Sequence, residues 1–125
     1  VLPAPLRMRR SEQFARTIRT GGRAGRDTLV VHCAVGAEHD GTQVGFVVAK
    51  TVGGAVVRNV VRRRLRGVVL EQRAALPEHA DVVVRALPAS ADATYTRLAD
   101  DFRSALATAH RRGRERAHPG TAVLP

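Results

Sequence analysis

With 125 residues the chain has room for one domain with a modest core and too little for two. Its formal net charge is +10, and the single cysteine, Cys33, excludes an intrachain disulfide and a zinc site built on a cysteine pair. No apolar run approaches the roughly 18–20 residues of a membrane span, and the arginine-bearing start lacks a signal peptide's apolar stretch, so no membrane role and a cytoplasmic location are expected.

Residues 1–10, VLPAPLRMRR, are expected to be extended because two prolines punctuate them. Ser11 is a candidate N-cap for a short helix that carries Phe14 and Ile18 on one face and ends near Gly21 and Gly22. TLVVHCAV (28–35) and QVGFVVA (43–49) are β-branched apolar runs separated by AEHDGT, with a turn signal at Asp40-Gly41; they read as a hairpin. Cys33, inside the first run, is expected as a small buried residue. Gly53-Gly54 frees the backbone to turn into a helix from about Ala55 to Arg73, before Pro77. DVVVRAL (81–87) reads as a third strand, closed by Pro88. From about Thr94 to Arg112, Tyr95, Leu98, Phe102, Leu106 and Ala109 recur at helical steps. The pattern then stops, which predicts one domain over 1–113 and a flexible tail over 114–125. Helix, strands, helix, strand, helix is the order of an α+β sandwich, with the helices packed on one sheet.

The charge is concentrated. Between Asp40 and Glu71 there is no acid, while Lys50, Arg58, Arg62, Arg63, Arg64 and Arg66 make the interval +6. The first 26 residues carry seven arginines against Glu12, again +6, so these two segments hold the whole excess. Such a distribution suits a polyphosphate or another anionic partner. Twenty of the 21 basic residues are arginine, which fits phosphate recognition and equally fits a biased genomic composition.

AVVRNVVRRRLRG (55–67) holds the densest part of that charge. At about 100° per residue, Val57, Val61, Leu65 and Val68 fall on one side of the helix, and Arg58, Asn59, Arg62, Arg63 and Arg66 gather on the other, with Arg64 at the edge. A merely solvated face would carry acids at i±4 to relieve the repulsion, and none occurs before Glu71. A membrane-surface helix is the weaker reading, because the apolar side is mostly valine without Trp or Phe and is needed to cover the sheet. Catalytic patterns are missing. His32, His39, His79, His110 and His118 lack metal-ligand spacing, and no glycine-rich phosphate loop precedes a lysine with Ser or Thr. Asp100 and Asp101 are adjacent on the polar side of the last helix, where solvent exposure is expected and shared metal ligation is disfavoured because helical neighbours diverge.

The pattern Arg-Asn-x-x-Arg-Arg-x-x-Arg at Arg58, Asn59, Arg62, Arg63 and Arg66, preceded by GFVVAKTVGGAVV, resembles the signature of the bacterial ribonuclease P protein subunit. LRMRRSEQFARTIRTGGRAGRDTLVVH resembles that family's N-terminus, and ADVVVRALPASADATY its last strand and helix entry, so the likeness spans the chain to about Gly113. The resemblance implies a two-layer sandwich in which a four-stranded sheet packs with three helices in the order α-β-β-β-α-β-α, with a left-handed β-α-β crossover, an exception to the usual hand. It also implies that an RNA subunit, using Mg²⁺, removes the 5′ leader of precursor tRNA, while the protein binds that RNA and holds the leader in a cleft between its first helix and the sheet.

On that pattern Arg58, Asn59, Arg62, Arg63 and Arg66 face RNA, with Lys50 adding to the same patch. Phe14 matches the cleft aromatic, although a core role suits it equally. The chain departs from the pattern at Ile18 and His32, where the family often carries aromatics, and at Thr51 and Val60, where it often carries basic residues, which implies a less aromatic leader contact. The expected partners are ribonuclease P RNA and precursor tRNA, with no DNA. Two other classes compete: a ribosomal-protein-like RNA binder without a processing role, and a metal-dependent nuclease using Asp100 and Asp101.

Overall fold

The computed structural model of the chain describes residues 2–117. Three α-helices, α1 (Ser11–Thr20), α2 (Ala55–Glu71) and α3 (Tyr95–Ala117), accompany four strands, β1 (Gly22–Gly25), β2 (Leu29–Val35), β3 (Thr42–Val47) and β4 (Ala80–Ala86). The chain order is therefore α-β-β-β-α-β-α, as the family resemblance implied. The strands form one mixed sheet in the order β1-β2-β4-β3: β1 and β4 are antiparallel to β2, and β3 is parallel to β4, with α2 as the crossover between them.

The expected hairpin between β2 and β3 is not formed, because β4 lies between them. The reason is in β4 itself: Val82, Val83 and Val84 are all fully buried, and a strand apolar on both faces belongs in the middle of a sheet. Asp40-Gly41 still makes a turn, with Gly41 at φ 76°, but in a connection that spans the neighbouring strand. The hairpin that exists is β1–β2, pairing Gly22 with Cys33 and Gly25 with Val30.

Side chains alternate across each strand, and the register sorts them onto two faces. Ala24, Leu29, Val31, Cys33, Val44, Val82, Val84 and Ala86 join Leu98, Phe102, Ala105 and Ala109 of α3 and Val61, Leu65, Val68 and Val69 of α2 in one core. This is the sandwich of sheet and helices. Cys33 is wholly buried within it, and burial above all, with Asp81 nearby, pushes its thiol pKa up to about 12. The other face is crossed by α1.

Four boundaries differ from the sequence reading. Residues 2–10 are only partly extended: Ala4–Leu6 is a 3₁₀ turn that buries Leu6, after which Arg7 bridges Val44 in parallel and the Met8 amide donates to its carbonyl at 3.0 Å, covering the edge of β3. Ser11 is the first helical residue of α1 and Arg10 the cap, without a side-chain bond. Val57 is 37% exposed, because the first turn of α2 projects past the core that Val61 onward bury. Helix α3 runs to Ala117, so residues 114–117 are helix and not tail; residues 118–125, with His118, lie outside the described residues. Gly113 permits this continuation by letting α3 pass close to the backbone at Gly22 and Cys33.

Candidate nucleic-acid interface

Helix α2 starts where a side chain would obstruct it. Gly53 has φ +156°, a backbone shape L side chains rarely adopt, and a Cβ there would crowd Val57. Lys50 sits beyond β3 in a 3₁₀ turn (Lys50–Val52) that leads into this bend, and it is exposed. Along α2, Asn59, Arg62, Arg63 and Arg66 line one shallow pocket of about 700 Å³ with Gly67 and Leu70. Arg62 donates to the Asn59 Oδ1 at 3.2 Å, which orients the guanidinium on its own helix surface. Among the described residues no carboxylate lies within 4.0 Å of any α2 arginine, so their charge is left for something else. Arg58 is half-buried and stands apart from that pocket, and its Nε has no partner among the described residues. Arg64 turns away, donating to the Ala93 carbonyl at 3.1 Å, which fixes α2 to the segment before α3.

The second group of candidates lies on the face crossed by α1. Phe14 rests on Gly45 of β3, so closely that a Cβ at Gly45 would overlap the ring. Phe14 and Ile18 are both half-buried, while Thr17 is buried and returns its hydroxyl to the Gln13 carbonyl. The helix is tied down by Gln13, whose Nε2 donates to the Asp81 Oδ1 at 2.9 Å and to the Gln43 Oε1 at 2.6 Å. His39 Nε2 meets the same Asp81 oxygen at 2.6 Å. At the far end, Arg116 donates to the carbonyls of Gly21 and Arg19, where the last turn of α1 leaves carbonyls free.

His32 lies on this face too. It is only 2% exposed, and neither ring nitrogen has a partner among the described residues. Its cross-strand neighbours are Arg23 of β1 and Val83 of β4, and Arg85 lies two residues beyond Val83 on the same side. Burial first, then the charges of Arg85 and Arg23, lower its pKa to about 4, so the ring is neutral at physiological pH. Its orphan nitrogens make it a donor and an acceptor in waiting, between two cations.

Comparison with known proteins agrees with this architecture. A family model described as Ribonuclease P matches residues 2–110. The chain belongs to the ribonuclease P protein family. The ribonuclease P protein component of Streptomyces bikiniensis is 50% identical over 114 residues, covering 85% of this chain and 93% of that protein. That of Beutenbergia cavernae is 51% identical over 106 residues, covering 85% and 89%. Among solved structures, the Staphylococcus aureus RNase P protein superposes with a TM-score of 0.73 at 23% identity, over 84% of this chain and 97% of that one. The Thermotoga maritima RNase P protein gives 0.71 at 20% identity, over 80% and 94%. The chain is thus a protein component of ribonuclease P, an endoribonuclease of tRNA maturation, with ribonuclease P RNA as its partner. Nothing favours the reading as a ribosomal-protein-like binder.

Several features of this ribonuclease P protein escaped the sequence reading. Arg23 and Arg85 beside His32 come from different strands and meet only through the register. Asp101, expected in solvent, is 9% exposed: its Oδ2 accepts from the Thr28 amide at 3.2 Å and hydroxyl at 2.7 Å, and its Oδ1 pairs with Arg97 at 3.4 Å. Asp100 does face solvent and pairs with Arg103, so the two carboxylates diverge. Among the described residues no group of three or more His, Cys, Asp or Glu side chains is placed to hold a metal ion. No helix among them is long and apolar enough to cross a membrane.

Proposed function

We propose that this chain binds the catalytic RNA of ribonuclease P through Lys50, Arg58, Asn59, Arg62, Arg63 and Arg66, and guides the 5′ leader of precursor tRNA past Phe14, Ile18 and His32. The RNA subunit carries out the phosphodiester hydrolysis with Mg²⁺, and this chain contributes no catalytic side chain. The cytoplasm is its place of action.

The observation that carries this reading is the set of α2 arginines without carboxylate partners, on a helix whose opposite side is sealed into the core. Guanidiniums held on a rigid element and unneutralised within the protein bind phosphates by displacing condensed counterions. By supplying positive charge where two RNAs meet, they lower the Mg²⁺ that the RNA needs to fold and hold its substrate.

For the leader, a single strand is gripped where flat or apolar surfaces stack bases beside cations that track the backbone. The half-exposed Phe14 ring and Ile18 supply the first, Arg23 and Arg85 the second, and the buried neutral imidazole of His32 lies beneath them. With Ile18 in place of a second ring, stacking is weaker and the cations carry more of the contact.

The test is precursor-tRNA cleavage at low Mg²⁺ with protein alone, bacterial ribonuclease P RNA alone, and both together. Cleavage at the mature 5′ end is expected only from the mixture. A mixture no better than RNA alone overturns the assisting role, and cutting by the protein alone overturns the division of labour.

A further inference from the structure

The segment carrying Lys50 and the α2 arginines holds only part of the charge excess; as much again lies in the first 26 residues, where Arg7, Arg9, Arg10 and Arg16 border the face of the sheet crossed by α1. On β4 the open face presents Asp81, Val83 and Arg85 in turn. Phe14 of α1 covers the middle row, where Gly45 pairs with Val83. His32 of β2 pairs with Val83 in that same row; Arg85 lies two residues to one side of it along β4 and Asp81 two residues to the other, about 13 Å from Arg85. The Asp81 side holds a separate cavity of about 690 Å³, bordered by Arg7, Arg9, Arg10 and Arg16 and floored by Asp81.

We propose that this cavity is a second RNA-binding site, taking phosphodiester groups of an RNA strand, distinct from the α2 surface and from the cleft beside His32. It rests on the reading of the chain as an RNA-binding subunit. All four arginines are exposed, and among the described residues none has a carboxylate within 4.0 Å. Their backbone is prearranged: Arg7 bridges β3, buried Met8 alternates Arg7 and Arg9 to one side, and Arg10 caps α1. Binding then costs less ordering than it would on a loose arm.

The cavity's most buried acid is engaged by its own partners and does not line the open mouth. Asp81 is 3% exposed, and its Oδ1 is occupied by Gln13 and His39. Glu12 and Glu38 on the rim are the remaining acids. Four cations interspersed with two open acids suit a strand whose phosphates are spaced by bases better than a compact polyphosphate. The first turn of α1, which has no side-chain cap, adds free amides at the rim.

The strand is either the distal leader of precursor tRNA or a segment of the ribonuclease P RNA. The full chain with Arg9→Gln, Arg10→Gln and Arg16→Gln is compared with the parent and with Arg62→Ala/Arg66→Ala, after circular dichroism confirms unchanged folding. Affinity against salt is measured for ribonuclease P RNA, and for short- and long-leader precursor tRNA bound to the holoenzyme. The expected result is a log–log salt slope shallower by about 1–2 units, from two or three lost contacts at roughly 0.7 each. A change confined to long-leader substrate identifies the leader, and a change with ribonuclease P RNA identifies that RNA. Unchanged slopes with every RNA overturn the site. A Gln variant that loses its fold is replaced by Arg16→Gln alone, which must lower the slope by about 0.7 for the site to stand. Normal binding by the Arg62→Ala/Arg66→Ala variant would sink the α2 reading while leaving this one to its own result.

Discussion

The two faces of the sheet use the same strands and obey different rules. On the core face every inward position of β2 and β4 is apolar, from Leu29 to Cys33 and from Val82 to Ala86, and α2 and α3 seal it. On the other face the same strands present His32, Asp81 and Arg85 beneath one ten-residue helix, with His32 and Asp81 buried and Arg85 half-buried. Close packing gives the first face its stability. The second gives up part of that packing to hold polar groups, one of which, His32, has no partner among the described residues, and such groups are where a folded protein keeps capacity for binding.

The sharpest way to break the contrast is at its apolar extreme. Phe102, wholly buried against the sheet, should lose about 3–5 kcal/mol on replacement by alanine, through lost burial and the cavity left behind. Urea denaturation should show the midpoint falling with little change in slope. A loss under about 1 kcal/mol would mean that α3 is not the main seal of the core.

Asp81 is the corresponding test on the polar face. Asp81→Ala leaves Gln13 and His39 without their acceptor at a nearly dry site, which should cost about 1–3 kcal/mol. Because Gln13 is what ties α1 to the sheet, affinity for leader-bearing substrate should fall more than affinity for mature tRNA, and Asp81→Asn should recover part of both. Equal losses for the two RNAs would remove the link between the anchor and the cleft.

His32 gives a smaller, pH-dependent effect. Its folded pKa, about 4, lies below the ordinary value of 6.5, so between these the unfolded chain binds more protons. The stability from the neutral ring is fully present above pH 6.5 and is lost as the pH falls through that window to about 4, by something on the order of 3 kcal/mol. His32→Leu, apolar and of similar bulk, should flatten the dependence in urea titrations at pH 4–7. An unaltered profile would assign the titration elsewhere.

How much of this was legible followed from how each feature is encoded. Helices α2 and α3 could be read because their periodicity is local and long, and the α2 arginines because one helix carries them all. Strand β1, GRAG, could not: two glycines, an alanine and an arginine carry no apolar alternation, and its place comes from pairing with β2 and from the fit of Gly22 against Gly113. The β2–β3 hairpin was misread because adjacency in sequence was taken for adjacency in the sheet, whereas the doubly buried β4 claims the place between them. Asp101 was misjudged because 100° of helical rotation separates it from Asp100 and carries it to Thr28. The α1 face was half visible: Phe14, Ile18 and His32 through family resemblance, Arg23 and Arg85 not at all.

The smallest stability effect separates binding from folding most cleanly. Arg58, Arg62 and Arg66 follow one another at four-residue spacing, where like charges on a helix repel by about 0.2–0.5 kcal/mol per pair. Replacing Arg62 by alanine removes two such contacts, improves intrinsic helix propensity, and gives up only a surface bond to Asn59. The variant should therefore be as stable as the parent or a few tenths of a kcal/mol more stable at low salt, with the difference fading as salt screens the charges. RNA affinity should move the opposite way. A surface kept at a cost to its own helix is maintained by what it binds, and a clear loss of stability in Arg62→Ala would instead make the arginine part of the fold.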